Sequence, residues 1–93
     1  MSTIYYRTKD GRADYGFTFE HQWDGNWRAY IVSQPSYGIQ NTDSHSTHRF
    51  RDENDGRYYI CWTQPFRSEE DARKVAALWA DATQEYIKTG RRF

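Results

Sequence analysis

Cysteine, methionine, leucine and proline are all scarce here: the 93 residues contain one cysteine (Cys61), one methionine, one leucine (Leu78) and two prolines. A lone cysteine excludes an internal disulfide and fits a reducing compartment. Net charge is absent too, with 13 basic and 13 acidic residues, so no global field draws the chain onto nucleic acid or a membrane. No apolar run approaches the roughly 20 residues that a membrane-spanning helix needs. The opening "MSTIYYRTKDG" lacks an apolar core of signal-peptide length. The expectation is a cytoplasmic protein that touches no membrane. Gly16, Gly25 and Gly38 stand isolated, so there is no phosphate-cradling loop, and no motif implies a cofactor.

What the chain has instead is rings. Aromatics make up 18% of it, against 37% for all hydrophobic residues together. Each buried ring removes on the order of 150–250 Å² from water, so a few of them can build the core that leucine and isoleucine usually supply. The composition is too aromatic for a disordered chain, and the length fits a single domain spanning residues 1–93.

Three Asp-Gly pairs, Asp10-Gly11, Asp24-Gly25 and Asp55-Gly56, lie between β-rich flanks. Asp-Gly in that setting marks hairpins, because the turn needs residues that tolerate positive φ. Five strands are read, at about 3–8, 13–22, 27–33, 46–52 and 57–63, forming an antiparallel meander. In the first hairpin an Asp10-Gly11 turn pairs Arg7 with Asp14 and gathers Ile4, Tyr6, Tyr15 and Phe17 inside. In the second, a loop at Asp24-Gly25-Asn26 pairs Trp23 with Trp27 and Phe19 with Ile31. That register puts Phe17, Phe19, Trp27, Ala29 and Ile31 on one face, and Glu20, Arg28 and Tyr30 on the other.

The stretch "HRFRDENDGRYYICW" makes the third hairpin. A loop at Asn54-Asp55-Gly56 sets Glu53 opposite Arg57, Phe50 opposite Ile60 and His48 opposite Trp62. Tyr58 then lies inside, and Arg49, Arg51, Arg57, Tyr59 and Cys61 point outward.

After "QPF" the period changes to that of a helix, predicted at about 68–89. Ser68 stands as N-cap with Asp71 three residues on, acidic residues fill the first turn, Lys88 lies near the end, and Gly90 serves as the stop. Ala72, Val75, Ala76, Trp79, Ala82 and Tyr86 form the stripe that covers the inner sheet face. The fold class is therefore α+β. Between strands three and four runs a long polar loop, 34–45, containing Pro35, Tyr37 and Gly38. A loop of that length in a small domain is either functional or mobile.

Three arrangements are weighed for chemistry. Asp43, His45, His48 and Cys61 mix the donor types that zinc accepts, yet no Cys-x-x-Cys pair exists, and His48 and Cys61 face opposite sides. Cys61 with His45 or His48 as base would make a small enzyme. Its mid-strand position between Ile60 and Trp62 suits a structural residue better, because activated thiols favour turns and helix N-termini. Asp52, Glu53 and Asp55 cluster at a turn, where Asp is favoured for backbone reasons. The expectation is a protein that is not an enzyme and holds neither metal nor cofactor.

The outer sheet face remains. Arg28, Arg49, Arg51 and Arg57 with Tyr30 and Tyr59, joined by Tyr37 from the loop, combine cations with stacking platforms. Protein interfaces favour those residue types, and so do single-strand binders, which set arginines on phosphates and rings on bases. Zero net charge puts a protein partner ahead of nucleic acid. A plain solvated face, with Glu20, Asp52 and Glu53 neutralising the arginines, is the bland alternative. The chain is read as a monomer or homodimer.

A three-stranded sheet followed by "FRSEEDARKVAALW" resembles the amino-terminal arm-site DNA-binding modules of phage integrases over about residues 13–80. In size and self-sufficiency the chain is similar to small phage-borne inhibitors such as anti-CRISPR proteins, a likeness that implies a protein target. Neither likeness has a residue signature, and no site residue follows from them.

Overall fold

The computed structural model describes residues 2–93. Five strands, β1 (Ile4–Arg7), β2 (Asp14–His21), β3 (Trp27–Ser33), β4 (Arg49–Arg51) and β5 (Tyr58–Ile60), form one antiparallel sheet in the order β1-β2-β3-β5-β4. A single helical turn, α1 (Ser44–Thr47), precedes β4, and the long helix α2 (Glu69–Thr89) closes the chain. The integrase-like plan of three strands and a helix is not what forms, because the last hairpin joins the sheet by inserting β5 beside β3.

Helix α2 forms where its signals put it. The Ser68 hydroxyl accepts from the Asp71 backbone N–H at 3.1 Å, and Gly90 ends the helix in the left-handed region at φ 79°. Its buried stripe is Ala72, Ala76, Trp79, Ala80, Thr83 and Tyr86, with Val75 and Ala82 only partly covered. The alanines let the helix lie close to the sheet, and Trp79 fills the centre. Its ring meets Tyr15 and Phe17 edge-on, with centroids 5.9 and 6.1 Å apart. Edge-on contact aims the positive rim of one ring at the negative face of the other. Tyr15, Phe17, Phe19, Ala29 and Ile60 complete the core from the sheet side.

The first hairpin pairs Arg7 with Asp14 as expected. The second keeps its predicted faces but pairs Phe19 with Ala29 and His21 with Trp27. Gln22 and Asn26 close the loop through a 2.8 Å N–H···O bond, and Gly25 holds the positive-φ position just before the chain turns back. Trp23 therefore sits at the tip, 98% exposed, instead of opposite Trp27.

The third hairpin differs by one residue. Asp52 pairs with Arg57 through a 2.7 Å N–H···O bond, so Phe50 faces Tyr59 and Arg49 faces Ile60. The Asp52 carboxylate accepts the Asn54 N–H at 2.9 Å and draws Glu53 into the turn. A one-residue slip reverses a strand's faces. Phe50 therefore comes to the outer face, and Arg49 and Arg51 go to the side of the helix.

The predicted strand 46–52 is shorter too: 44–47 is helical, and His48 follows it with φ 54°. The 34–45 loop is tied down. Tyr37 is buried with its ring 6.1 Å from Tyr86, the Tyr86 hydroxyl donates to the Asn41 carbonyl at 2.7 Å, and the Trp79 indole N–H donates to the Thr47 carbonyl at 2.9 Å.

Candidate protein interface on the outer sheet face

Pairing sets one row of residues across four strands: Thr18, Tyr30, Tyr59 and Phe50. This face lies opposite the helix. Four of the predicted site residues, Arg28, Tyr30, Arg57 and Tyr59, come together on it. Arg57, just before β5, lays its guanidinium 3.6 Å from the Tyr30 ring centre and crosses β3 to Glu20 on β2. It forks onto both Glu20 oxygens at 2.5 and 3.2 Å and binds Asp55 at 2.7 Å. Arg28, on β3, runs the opposite diagonal. Its guanidinium lies 3.9 Å from the Tyr59 ring centre and crosses β5 to reach Asp52, at 3.3 Å, just beyond β4. The Tyr30 hydroxyl donates to the same Asp52 oxygen at 2.7 Å.

These diagonals have a mechanical consequence. β3 and β5 share only two paired residues, Tyr30 with Tyr59 and Ile31 with Tyr58. The two arginines, each spanning a strand, stitch the last hairpin onto the sheet. Tyr30 is 2% exposed as a result, a buried spacer and no open stacking platform.

The electrostatics agree. The Tyr30 hydroxyl, then the Asn54 N–H, hold the Asp52 carboxyl below the ordinary carboxylate range, and both arginines add to this. Hydrogen bonding to Glu20 pushes the Arg57 guanidinium further up, so it stays charged. Burial, then the bond to Asp52, raises the Tyr30 phenol. Arg28 and Arg57 are thus matched by Glu20, Asp52 and Asp55, and neither is left free to seek a phosphate.

The other predicted site residues lie elsewhere. Arg49 stacks on Tyr58 and Tyr37 on the helix side, 3.9 and 4.9 Å from the ring centres. Arg51 is exposed on the same side, and Tyr37 is core. His48 and Cys61, expected on opposite sides, instead line one apolar cleft of about 350 Å³ with Trp62, Thr63 and Phe93. The His48 Nε2 is engaged by the Phe93 carbonyl oxygen. Burial pushes the Cys61 thiol up, which keeps it protonated and a poor nucleophile. Among the described residues no three His, Cys, Asp or Glu side chains gather to hold a metal ion. No helix among them is long and apolar enough to cross a membrane.

Sequence reasoning missed the segment after β5. The Cys61 N–H still donates to the His48 carbonyl at 2.8 Å, but residues 62–65 leave the sheet, and Trp62, expected inside opposite His48, is 36% exposed. The signal for this was present in "TQP": two polar residues and a proline end a strand. No family model, curated protein or solved structure matches this chain.

Proposed function

We propose that this chain is a non-enzymatic protein-binding module that presents its outer sheet face to another protein. The observation that carries this is the compensated arginine-tyrosine network. Its arginines are already paired, so what the face offers a partner is a rigid, ring-rich surface with little charge to satisfy. Phe50, Tyr5 and Val32 are exposed without any role in the core, and Phe50 extends the Tyr30–Tyr59 row directly. Rings, and arginines already held by ion pairs, have little side-chain freedom left to lose on binding, and interfaces are enriched in these residue types. A nucleic-acid partner would need free cations, and Arg28 and Arg57 are committed.

The test is capture from a cell lysate with wild-type chain, Phe50→Ser on the outer face, and Leu78→Ser on the exposed helix face as control. A protein retained by wild type and by the Leu78 variant but lost by the Phe50 variant is the expected result. Equal capture by all three would sink the reading. So would binding of short DNA or RNA that falls steeply as salt rises, the mark of counterion release from phosphates.

A further inference from the structure

β5 ends at Ile60, and the chain returns to the sheet only where the Trp27 N–H donates to the Phe66 carbonyl at 2.7 Å, an isolated bridge. The Cys61 N–H still donates to the His48 carbonyl at 2.8 Å, so residues 62–65 are the part that lies off the sheet, and two grooves lined by Trp62 open beside them. The first, about 180 Å³, lies toward the start of β3, with Trp27, Tyr59 and Pro65 in its walls and the Gln22, Asn26 and Gln64 amides around it. The second, about 230 Å³, lies toward α2, with Phe66 and Val75. Trp62, Gln64, Pro65 and Phe66 line both, and Trp62 also borders the cleft of His48 and Cys61.

We propose that these paired grooves bind an extended, proline-containing and basic segment of the partner protein, with Trp62 as the central wall between two proline seats. This rests on the protein-binding reading above and names the chemistry of its anchor. The first groove is continuous with the outer face, because Arg28 and Tyr59 line both.

Three features fix the occupant's chemistry. The walls are aromatic rings, the aliphatic side chains of Ile60 and Val75, and a proline, on which pyrrolidine rings pack well. A polyproline II segment makes no internal hydrogen bonds, so its carbonyls need donors. The Asn26 and Gln64 side-chain amides of the first groove supply them, while the Gln22 amide already donates to the Glu20 carbonyl at 3.3 Å. Charge sets the flanks. Asp24 lines the first groove and Asp71 the second, and neither has an ion-pair partner among the described residues. The grooves' cations are both taken, Arg28 by Asp52 at 3.3 Å and Lys74 by Glu70 at 3.4 Å. Two carboxylates without ion-pair partners and no free cation attract lysine or arginine and repel an acidic peptide or a phosphate chain. Trp23, between the groove residues Gln22 and Asp24, is 98% exposed, so it is free to lie against such a segment at no cost to folding.

The experiment titrates the intact chain with a fluorescein-labelled peptide of Lys-Pro-Pro repeats, followed by anisotropy, beside a Lys-Gly-Ser repeat of equal charge. Saturable binding of the first and none of the second is expected. Trp62→Ala should weaken it about ten-fold, as truncating an interface tryptophan does. Asp24→Asn with Asp71→Asn should weaken it about two- to five-fold. No binding, equal binding of the Gly-Ser control, or an unchanged Trp62→Ala variant overturns the proposal. If Trp62→Ala does not fold by circular dichroism, the double Asn variant decides, and unchanged affinity there overturns it. Should the peptide fail while Phe50→Ser still abolishes protein capture, the proline site falls and the protein-binding reading stands. Should capture also be unaffected, both fall.

Discussion

The two faces of this sheet are held by different physics. On the helix side Trp79, Tyr15 and Phe17 exclude water around a stripe of alanines, and the stabilisation scales with buried apolar area. On the outer side the central ring, Tyr30, is equally buried, yet charged side chains do the burying: Arg57 covers it, and its hydroxyl ends on Asp52. Hydrophobic burial is indifferent to modest salt. An arginine fork onto a partly exposed carboxylate is screened by it, since the Debye length falls from about 10 Å at 0.1 M to about 3 Å at 1 M. The difference teaches that an arginine-rich sheet face is not by itself a binding surface. Here its first task is to attach a short hairpin.

Breaking each half separately tests this. The largest effect is expected on the helix side. Trp79→Ala removes the ring that meets Tyr15 and Phe17, together with the bond to the Thr47 carbonyl, and should cost about 3–5 kcal/mol in denaturant unfolding. The cost should be the same at low and high salt. A loss below about 1 kcal/mol would mean that the core lies elsewhere. Next comes Arg57→Ala, expected to cost about 1–2 kcal/mol, the lower range for a charged hydrogen bond because the side chain is 38% exposed. Arg57→Lys should lose most of that, since an ammonium neither forks onto Glu20 nor stacks on Tyr30. Both losses should shrink at 1 M salt. Hydrogen exchange should quicken first at Tyr58–Ile60 and leave β1 and β2 as they were. Uniform quickening would refute the stitching role.

A smaller change sharpens the comparison at the other edge of the outer face. Gly16 pairs with Tyr5 and Ser33, and a Cβ there would come within 2.7 Å of the Ser33 Oγ and 2.9 Å of the Tyr5 ring. Both neighbours are side chains that can move, so Gly16→Ala should cost only about 1 kcal/mol, the low end for overpacking. A thermal melt checks it, and a neutral or stabilising result would show that the Tyr5 ring turns aside freely.

Where the fold was legible, a local signal sufficed. Ser68, the helical stripe and Gly90 bounded α2, and the Arg7–Asp14 pair placed the first turn. The second hairpin was read two positions out of register, yet its faces survived because a shift of two preserves the pleat. The third hairpin did not survive. Choosing between loops closed by Glu53 and by Asp52 depends on the Asp52 carboxylate, whose strongest tie is to Tyr30, 22 residues away. The turn at 44–47 is likewise set from outside, with Ser46 and Thr47 buried and Thr47 held by Trp79. Arg28, Tyr30, Arg57 and Tyr59 were found as a cluster. Their neutralisation by Glu20 and Asp52 was open as the bland alternative. Which arginine takes which acid, and that Asp55 serves in place of Glu53, was not legible, because it depends on the register of the last hairpin.

The subtlest expected difference between the faces is in acid. Asp52 has its carboxyl held low by the Tyr30 hydroxyl and the Asn54 N–H, with Arg28 and Arg57 behind them. A folded-state value below the unfolded one, ordinarily near 3.9 for Asp, gives stability that is fully present above that pH. It is lost as pH falls through the folded value, where Asp52 takes up a proton and Arg28 loses its anion. Asp52→Asn keeps an acceptor for the Asn54 N–H but no charge. The gap in unfolding free energy between wild type and this variant should therefore be flat from neutral pH down to about 4 and should close below it. Trp79 carries no titrating group, so its variant should run parallel to wild type across the same range. If the Asp52 gap stays open in acid, the carboxylate contributes shape alone, and the outer face is held by its rings.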